Sequence, residues 1–329
     1  MSGVFVVFLP AIATIVVIAL LYVSPLAFRI VDHPGDRSLH ATPTPRIGGI
    51  GLMLGAMPVV FYFGAPDVRW IAGAAVVLAV VSFIDDVKSL PVAIRLPCHL
   101  AAAALAVGVT WPGVGIGSAA SVAIAAAALL AIAWMTNLFN FMDGADGLAG
   151  GMALIGFGAL AVAALRGGDA ALAYAALALS ASAAGFLVFN IPPARVFMGD
   201  AGSVPLGFLA GALGWLGAVR GVWPWWFPVL VFSPFIVDAT VTLARRVAKG
   251  EPFLRAHRSH YYQRLVLGGW SHRRLAAAAW VLMTAVAASA TVALGKHVAV
   301  QGAIISLWAI AYGALMLWMD RRQPPDTRR

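Results

Sequence analysis

Long apolar stretches, separated by short polar segments, follow one another along the whole chain. About eleven of them are long enough, or nearly so, to cross roughly 30 Å of hydrocarbon as helices. They lie near residues 4–28, 47–64, 70–84, 96–112, 119–137, 150–165, 170–190, 204–219, 225–244, 275–294 and 301–319. The pattern predicts an all-α fold, a polytopic membrane bundle of 10–11 transmembrane helices that forms one domain over residues 1–329.

Composition supports a lipid environment. Hydrophobic residues make up 62% of the chain and charged residues 11%, whereas a soluble domain carries about 25% charged residues. This balance excludes a soluble globular protein and a disordered chain. Cys98 is the single cysteine, which excludes a disulfide scaffold.

The net charge of +9 comes from Lys and Arg residues concentrated in the loops on one side of the membrane. If eleven helices alternate in direction, all of the 22 Lys and Arg residues except Arg69, Arg166, Arg220 and Lys296 fall on one set of loops. The positive-inside rule makes that set cytoplasmic and predicts an outside N-terminus on a retained first helix. We expect affinity for membrane lipids with anionic headgroups rather than a nucleic-acid partner.

Carboxylates are rare but concentrated. Asp85 and Asp86 end the third stretch, Asp143 and Asp146 follow the fifth, and Asp200 follows the seventh. Any one of these aspartates could equally be a helix cap. Because placing a carboxylate near the bilayer costs free energy, the whole set predicts a functional site at the cytoplasmic face. The loops expected to build this site are 29–46, 85–95, 138–149, 191–203 and 245–274.

Adjacent carboxylates at Asp85 and Asp86, with Lys88 two residues further on, suit a metal site or a general base, because their mutual repulsion raises one pKa. Alone, the pair is a weak signal.

The run from Asn137 to Gly147 is more specific. Asn137, Asn140 and Asp143 are three residues apart, so a continuous helix would align them on one face, with Asp146 one step further. A polar turn between helices would explain the glycines of this run but not two asparagines in an apolar segment.

A third run places Asp200 between Gly199 and Gly202, and Phe197 and Met198 precede it. It suggests a position where phosphate oxygens and a hard cation meet backbone amides, although it is not a P-loop. Phe197 is either an interfacial aromatic residue or a flat surface for a base.

A fourth, basic run contains His257, Arg258 and His260, which are suited to phosphate binding or simply to a cytoplasmic loop. Because oxygen ligands predominate and no Cys/His zinc spacing occurs, the expected metal is Mg²⁺ or Mn²⁺.

In this order and spacing, the four runs resemble the polyprenyl-phosphate N-acetylhexosamine-1-phosphate transferases. The likeness extends from about Asp32 to Tyr262 and includes Arg37–His40 and Pro43–Gly49 in the first loop. It implies transfer of a sugar 1-phosphate from a UDP-N-acetylhexosamine to undecaprenyl phosphate, with release of UMP, in the bacterial plasma membrane. A homodimer is left open.

The resemblance and the residue types together assign roles within the site. The catalytic candidates are Asp85, Asp86, Asp143 and His260. The substrate-binding candidates are Asn140, Asp146, Phe197, Lys88, Arg258 and His257. Asp200 is the candidate metal ligand. By the resemblance, Asp85 orients or deprotonates the lipid phosphate, and Phe197 stacks on uracil.

One departure bears on the branch of the family. Many relatives carry His-x-His-His in the fourth run, whereas here Tyr261, Tyr262 and Gln263 follow His260. This favours the branch that initiates O-antigen or other surface polysaccharides over the phospho-MurNAc-pentapeptide transferase that makes lipid I. The acetamido sugar stays open among GlcNAc, QuiNAc, FucNAc and others.

Asp238 lies inside the ninth stretch, where its role is open. It either belongs to the site or pairs with Arg245 or Arg246 on its own helix. A membrane transporter, the alternative from another class, predicts more charges at mid-membrane and an internal inverted repeat.

Overall fold

The computed structural model describes residues 2–35, 39–40, 42–111, 118–251 and 257–322. Its helices are α1 Ser2–Tyr22, α2 Pro25–Arg29, α3 Gly48–Phe63, α4 Pro66–Lys88, α5 Val92–Thr110, α6 Ala119–Phe141, α7 Leu148–Arg166, α8 Ala170–Asn190, α9 Asp200–Val219, α10 Trp226–Val231, α11 Ser233–Ala248, α12 Tyr261–Leu267, α13 His272–Ala293 and α14 Val298–Arg322. Two short strands, β1 Val31–Asp32 and β2 Thr44–Pro45, pair antiparallel.

The predicted helical membrane bundle is confirmed. Within the described ranges, nine helices are long and apolar enough to cross a membrane, and each coincides with a predicted stretch. The other two stretches differ: 47–64 forms the 16-residue α3, and 225–244 forms two helices, α10 and α11. Pro234 stands in the first turn of α11, where its missing N–H is tolerated, and it cannot continue a preceding helix.

Glycines bring α3 against the start of α9. A β-carbon added at Gly49 would lie 2.3 Å from the backbone nitrogen of Gly202, so neither position has room for a side chain. The chain entering α3 also runs beside the segment before α9: Phe197 donates its N–H to the carbonyl of Pro45, and Gly48 donates to the carbonyl of Phe197, each at 2.9 Å. The chain from Pro45 to Gly49 is therefore fixed next to the segment that leads into Asp200.

A three-residue ion cluster closes the opposite end of the bundle. Arg220, just after α9, contacts Asp67 at the start of α4 at 2.6 Å and Asp169 at the start of α8 at 2.5 Å. Three helix ends are thus joined by one partly buried guanidinium.

We expect Arg220→Met to lower the free energy of unfolding by about 1–3 kcal/mol, because two carboxylates lose a shared partner that is only partly screened by water. Thermal unfolding of the full-length protein in detergent measures this loss. Arg69→Met removes a cation from the same end outside the cluster, so equal destabilisation by both variants would contradict the role of Arg220.

Candidate active site

Asp86 holds the N-terminus of α9. Its carboxylate accepts the backbone N–H groups of Asp200 at 3.3 Å and Ala201 at 3.1 Å, and its side chain is 1% exposed. Gly199, at φ +70°, permits this approach, since a β-carbon there would lie 2.9 Å from Asp86 Oδ2. The expectation that these amides stand open for a phosphate is wrong for these two groups, because a carboxylate already occupies them.

Asp85 points to a different partner. It accepts the N–H of Leu90 at 2.6 Å and an Arg95 guanidinium hydrogen bond at 2.8 Å. Ser89, in the left-handed region at φ 52°, turns the chain so that α5 begins beside the end of α4. Arg95 Nη1 also lies 3.9 Å from Asp200 Oδ2, so one guanidinium links two of the predicted site residues.

Asn140 bridges α6 to α9. Its side-chain amide donates to Asp200 Oδ1 at 2.8 Å and to Ser203 Oγ at 3.0 Å. Asn137, one turn earlier, donates to the carbonyl of Ala133 at 2.7 Å. Because α6 ends at Phe141, the expected alignment on one helix face is wrong for Asp143, which lies in the turn that follows.

Among the predicted site aspartates, Asp143 is the one whose carboxylate has no hydrogen bond or ion pair within the described residues. Burial raises the pKa of Asp143 well above its ordinary value, and the nearby charges of Asp200 and Asp86 raise it further, while Arg46 opposes the shift. Its charged form is therefore destabilised in the folded protein.

We expect the protein without added divalent cations to lose stability as pH rises from about 4 through the raised pKa of Asp143. Over this window the folded state keeps a proton that the unfolded state has released. Asp143→Asn removes this contribution, so the variant should unfold at a higher temperature than the wild type at neutral pH and at nearly the same temperature in acid. Thermal unfolding at several pH values tests this, and identical pH dependence of the two proteins would refute it.

Asp146 holds two segments together. It accepts the N–H of Ala194 at 3.0 Å and contacts His272 Nδ1, at the start of α13, at 3.1 Å. Burial alone would raise the pKa of Asp146, but the hydrogen bonds from His272 and Ala194 lower it below its ordinary value. This carboxylate is held ionised at the edge of the site.

The residues around Asp143 enclose a cleft of about 260 Å³. Its lining includes Asp32, His40, Arg46, Asn140, Asp143, Asp146, Phe197, Asp200 and Gln263. A wider cleft of about 490 Å³ adjoins it and shares His40, Asp146 and Phe197.

Arg46, directly after β2, is the arginine that lines this cleft. Asp32 in β1 accepts a hydrogen bond from Arg46 at 2.6 Å and contacts His40 Nε2 at 3.2 Å. Arg46 Nη1 lies 3.7 Å from Asp86 Oδ1. The His40 ring meets Phe197 edge-on at 4.9 Å, which leaves the aromatic residue half-buried at the wall of both clefts.

His260 is packed behind this cleft. It is 4% exposed, its Nδ1 lies 3.3 Å from Asp238 Oδ1, and its ring stacks on Tyr262. Asp238 also accepts the N–H groups of Tyr261 at 2.9 Å and Tyr262 at 3.0 Å, so it caps α12. Asp238 thus fixes the position of His260 and the first turn of α12.

The alternative pairing of Asp238 within its own helix is wrong. Arg245 pairs with Asp320 at 2.7 Å, and Arg246 pairs with Glu251 at 2.9 Å.

Three of the predicted substrate-binding residues do not line the cleft in the part of the chain that the structure describes. Lys88 and Arg258 are exposed, and His257 bonds to Ser259 at 2.8 Å. Arg37 and Ser38 of the first-loop motif lie outside the described residues, as do residues 252–256 of the predicted loop 245–274.

Sequence reasoning missed the site cations Arg46 and Arg95, and also Gln263. The signal for Arg95 was an isolated cation at the edge of an apolar stretch, ten residues after Asp85 and one helical turn before His99.

Known proteins resemble this chain over most of its length. The sequence model of glycosyl transferase family 4 matches residues 68–218. The probable undecaprenyl-phosphate N-acetylglucosaminyl 1-phosphate transferase of Bacillus subtilis is 30% identical over 274 residues, which cover 78% of this chain and 76% of that protein. The decaprenyl-phosphate N-acetylglucosaminephosphotransferase of Mycobacterium leprae is 30% identical over 307 residues, covering 80% and 77%. The phospho-N-acetylmuramoyl-pentapeptide-transferase of Shouchella clausii is 27% identical over 293 residues, covering 80% and 84%.

The fold and the cleft define a multi-pass membrane enzyme whose carboxylates and arginines meet at one end of a helical bundle. The chain belongs to glycosyl transferase family 4, among the polyprenyl-phosphate hexosamine-1-phosphate transferases. The resemblance seen in the four sequence runs is confirmed.

Proposed function

We propose that the protein transfers an N-acetylhexosamine 1-phosphate from a UDP-sugar to undecaprenyl phosphate and so initiates a cell-surface polysaccharide such as O-antigen. The observation that carries this proposal is the convergence of Asp86, Asp143 and Asp200 with Arg46 and Arg95 at one end of the bundle. That end is where a lipid phosphate in one leaflet and a water-soluble nucleotide can meet.

The reaction joins two anions. An oxygen of the lipid phosphate attacks the sugar-bearing phosphorus of the donor, the bond to the other phosphate breaks, and UMP leaves with the electron pair. Positive groups must offset the repulsion before attack, and Arg46 and Arg95 are placed to do so. The lipid phosphate is largely ionised near neutral pH, since comparable phosphomonoesters have a second pKa of about 6.

This ionisation changes the expected role of Asp85. Its carboxylate is already engaged by Arg95 and by the N–H of Leu90. A proton acceptor is not required, so we assign Asp85 to positioning Arg95 rather than to proton abstraction.

The donor set suits a Mg²⁺ or Mn²⁺ ion. Within the described ranges, no three His, Cys, Asp or Glu residues are close enough to hold a metal by themselves. Mg²⁺ is typically bound through one or two carboxylates together with substrate phosphates and water. The carboxylates of Asp200 and Asp143 fit this pattern, because Asp143 is unpaired and both face the cleft. When bound, the ion would neutralise charge on the diphosphate.

The remaining substrate contacts follow from the cleft. Phe197 offers its ring for stacking on uracil, beside the ion pair of Asp146 with His272. The excess of Lys and Arg in the loops at this end supports a cytoplasmic orientation in the bacterial plasma membrane.

Purified protein tests the proposal when it is incubated with Mg²⁺, undecaprenyl phosphate and a panel of UDP-acetamido sugars, including UDP-MurNAc-pentapeptide. UMP release that requires the lipid is the expected result. Release with UDP-MurNAc-pentapeptide alone would support the alternative that the Shouchella clausii relative raises. No release from any donor by folded protein, or solute uptake without release, would favour a transporter and count against the proposal.

A further inference from the structure

An apolar cavity of about 440 Å³ lies among α11, α12, α13 and α14. Among the described residues it shares no lining residue with the polar cleft, and its wall residues Met142 and Tyr262 adjoin Asp143 and Gly144 of that cleft. Its walls include Leu265, Leu282, Trp308 and Trp318. The cavity reaches the outer surface of the bundle, where Val281 is 72% exposed and Trp318 is 38% exposed. In a membrane this opening faces lipid chains.

A second cavity of about 270 Å³ continues from the first at the end of α14. The two share Leu265, Trp270, Trp318 and Met319. What the second cavity adds is positive charge, because Arg274 and Arg322 line it.

These two arginines are held over aromatic rings. Arg274 lies 4.1 Å from the Trp270 ring centre, and Arg322 lies 5.1 Å from that of Trp318. Neither has a carboxylate partner among the described residues, and the nearby Asp320 is engaged by Arg245 and Arg264. Their charge is therefore available to an outside anion.

We propose that the joined cavities bind one anionic phospholipid of the bilayer, with its phosphate between Arg274 and Arg322 and an acyl chain in the apolar cavity. Basic pockets between membrane helices recognise acidic lipid headgroups, and indole rings favour the headgroup level. A zwitterionic lipid would gain less from two unpaired guanidinium groups, and a soluble phosphate would leave the apolar cavity unfilled. The helix α14 has little buried surface of its own. The bound lipid would stabilise its packing against α13.

Native mass spectrometry of the full-length protein can test the site by titrating phosphatidylglycerol or phosphatidylcholine into the detergent-solubilised enzyme. We expect tighter binding of phosphatidylglycerol and about 30-fold weaker binding in the Arg274→Gln/Arg322→Gln double variant. The control variant Arg321→Gln/Lys249→Gln removes two charges from the same end outside the cavities and should bind as the wild type does. Ala279→Trp, which fills the apolar cavity but keeps both arginines, should also lose the lipid.

Four results would overturn the proposal. They are equal binding of the two phospholipids, unchanged binding by the Arg274/Arg322 variant, equal loss in the control variant, and displacement of phosphatidylglycerol by undecaprenyl phosphate at this position. Because the readout is lipid binding without donor sugar, failure here leaves the proposed transferase reaction standing, and failure of that reaction leaves this site standing.

Discussion

Replacing Asp200 with asparagine is expected to slow UMP release about 100- to 1,000-fold, the range seen when one electrostatic group of a preorganised site is lost. Asparagine keeps the size of the side chain and still accepts a hydrogen bond from Asn140, so α6 and α9 should stay joined. What disappears is the negative charge of the Asp200 carboxylate, which we propose binds Mg²⁺. The measurement is the rate of UMP release as a function of Mg²⁺ concentration, together with the thermal unfolding midpoint.

Glu251→Gln serves as the matched control. It removes a carboxylate near the same end of the bundle, where Glu251 pairs with Arg246 outside the cleft, and it should retain turnover. Asp200→Asn with an unchanged Mg²⁺ requirement would refute the assignment of Asp200 as a metal ligand, even if the rate fell.

The bundle was predictable because lipid imposes a simple rule on the backbone. A long run of apolar residues satisfies its backbone groups in hydrocarbon by forming a helix, so nine of the predicted stretches located the nine long apolar helices of the described residues. The break between α10 and α11 was not predicted, since Phe232 continues the apolar pattern and only Ser233 and Pro234 interrupt it before Phe235. The β1–β2 ribbon was missed as well, because two residues per strand carry no periodicity.

The sequence predicted which residues form the site better than it predicted the contacts among them. Asn140, Asp143 and Asp200 line one cleft as their clustering suggested. The sequence did not predict the different partners of two adjacent residues. Asp85 accepts a hydrogen bond from Arg95, while Asp86 accepts the backbone amides at the start of α9. Neighbours on a helix point about 100° apart, so their partners depend on helices that are distant in sequence.

The cations illustrate the same limit. Lys88 is closer to Asp85 in sequence, but it is exposed, whereas Arg95 reaches Asp85 from the first turn of the next helix. The left-handed turn at Ser89 sets that direction, and non-glycine residues rarely adopt this conformation. Asp238 is a second case of partners that are distant in sequence. It accepts the first two amides of α12, more than twenty residues away.

Arg95→Gln is expected to cost stability and turnover together. It leaves the 8%-exposed carboxylate of Asp85 with only the Leu90 N–H as partner, and breaking a buried ion pair costs about 3–5 kcal/mol. Because Arg95 is 36% exposed, the lower end of that range applies. Turnover should fall as well, since the cation near Asp200 is lost. Chemical or thermal unfolding and UMP release measure the two effects.

A double-mutant cycle separates the two roles of this ion pair. In Asp85→Asn/Arg95→Gln no buried charge is stranded, so most of the stability should return while turnover stays low. Asp85→Asn alone should keep more activity than Arg95→Gln, with the same shape of pH–rate profile as the wild type, if Asp85 only positions the guanidinium. Loss of activity in Asp85→Asn together with a changed profile would instead make Asp85 the proton acceptor, because a group that merely holds Arg95 does not set the pH dependence of the chemical step.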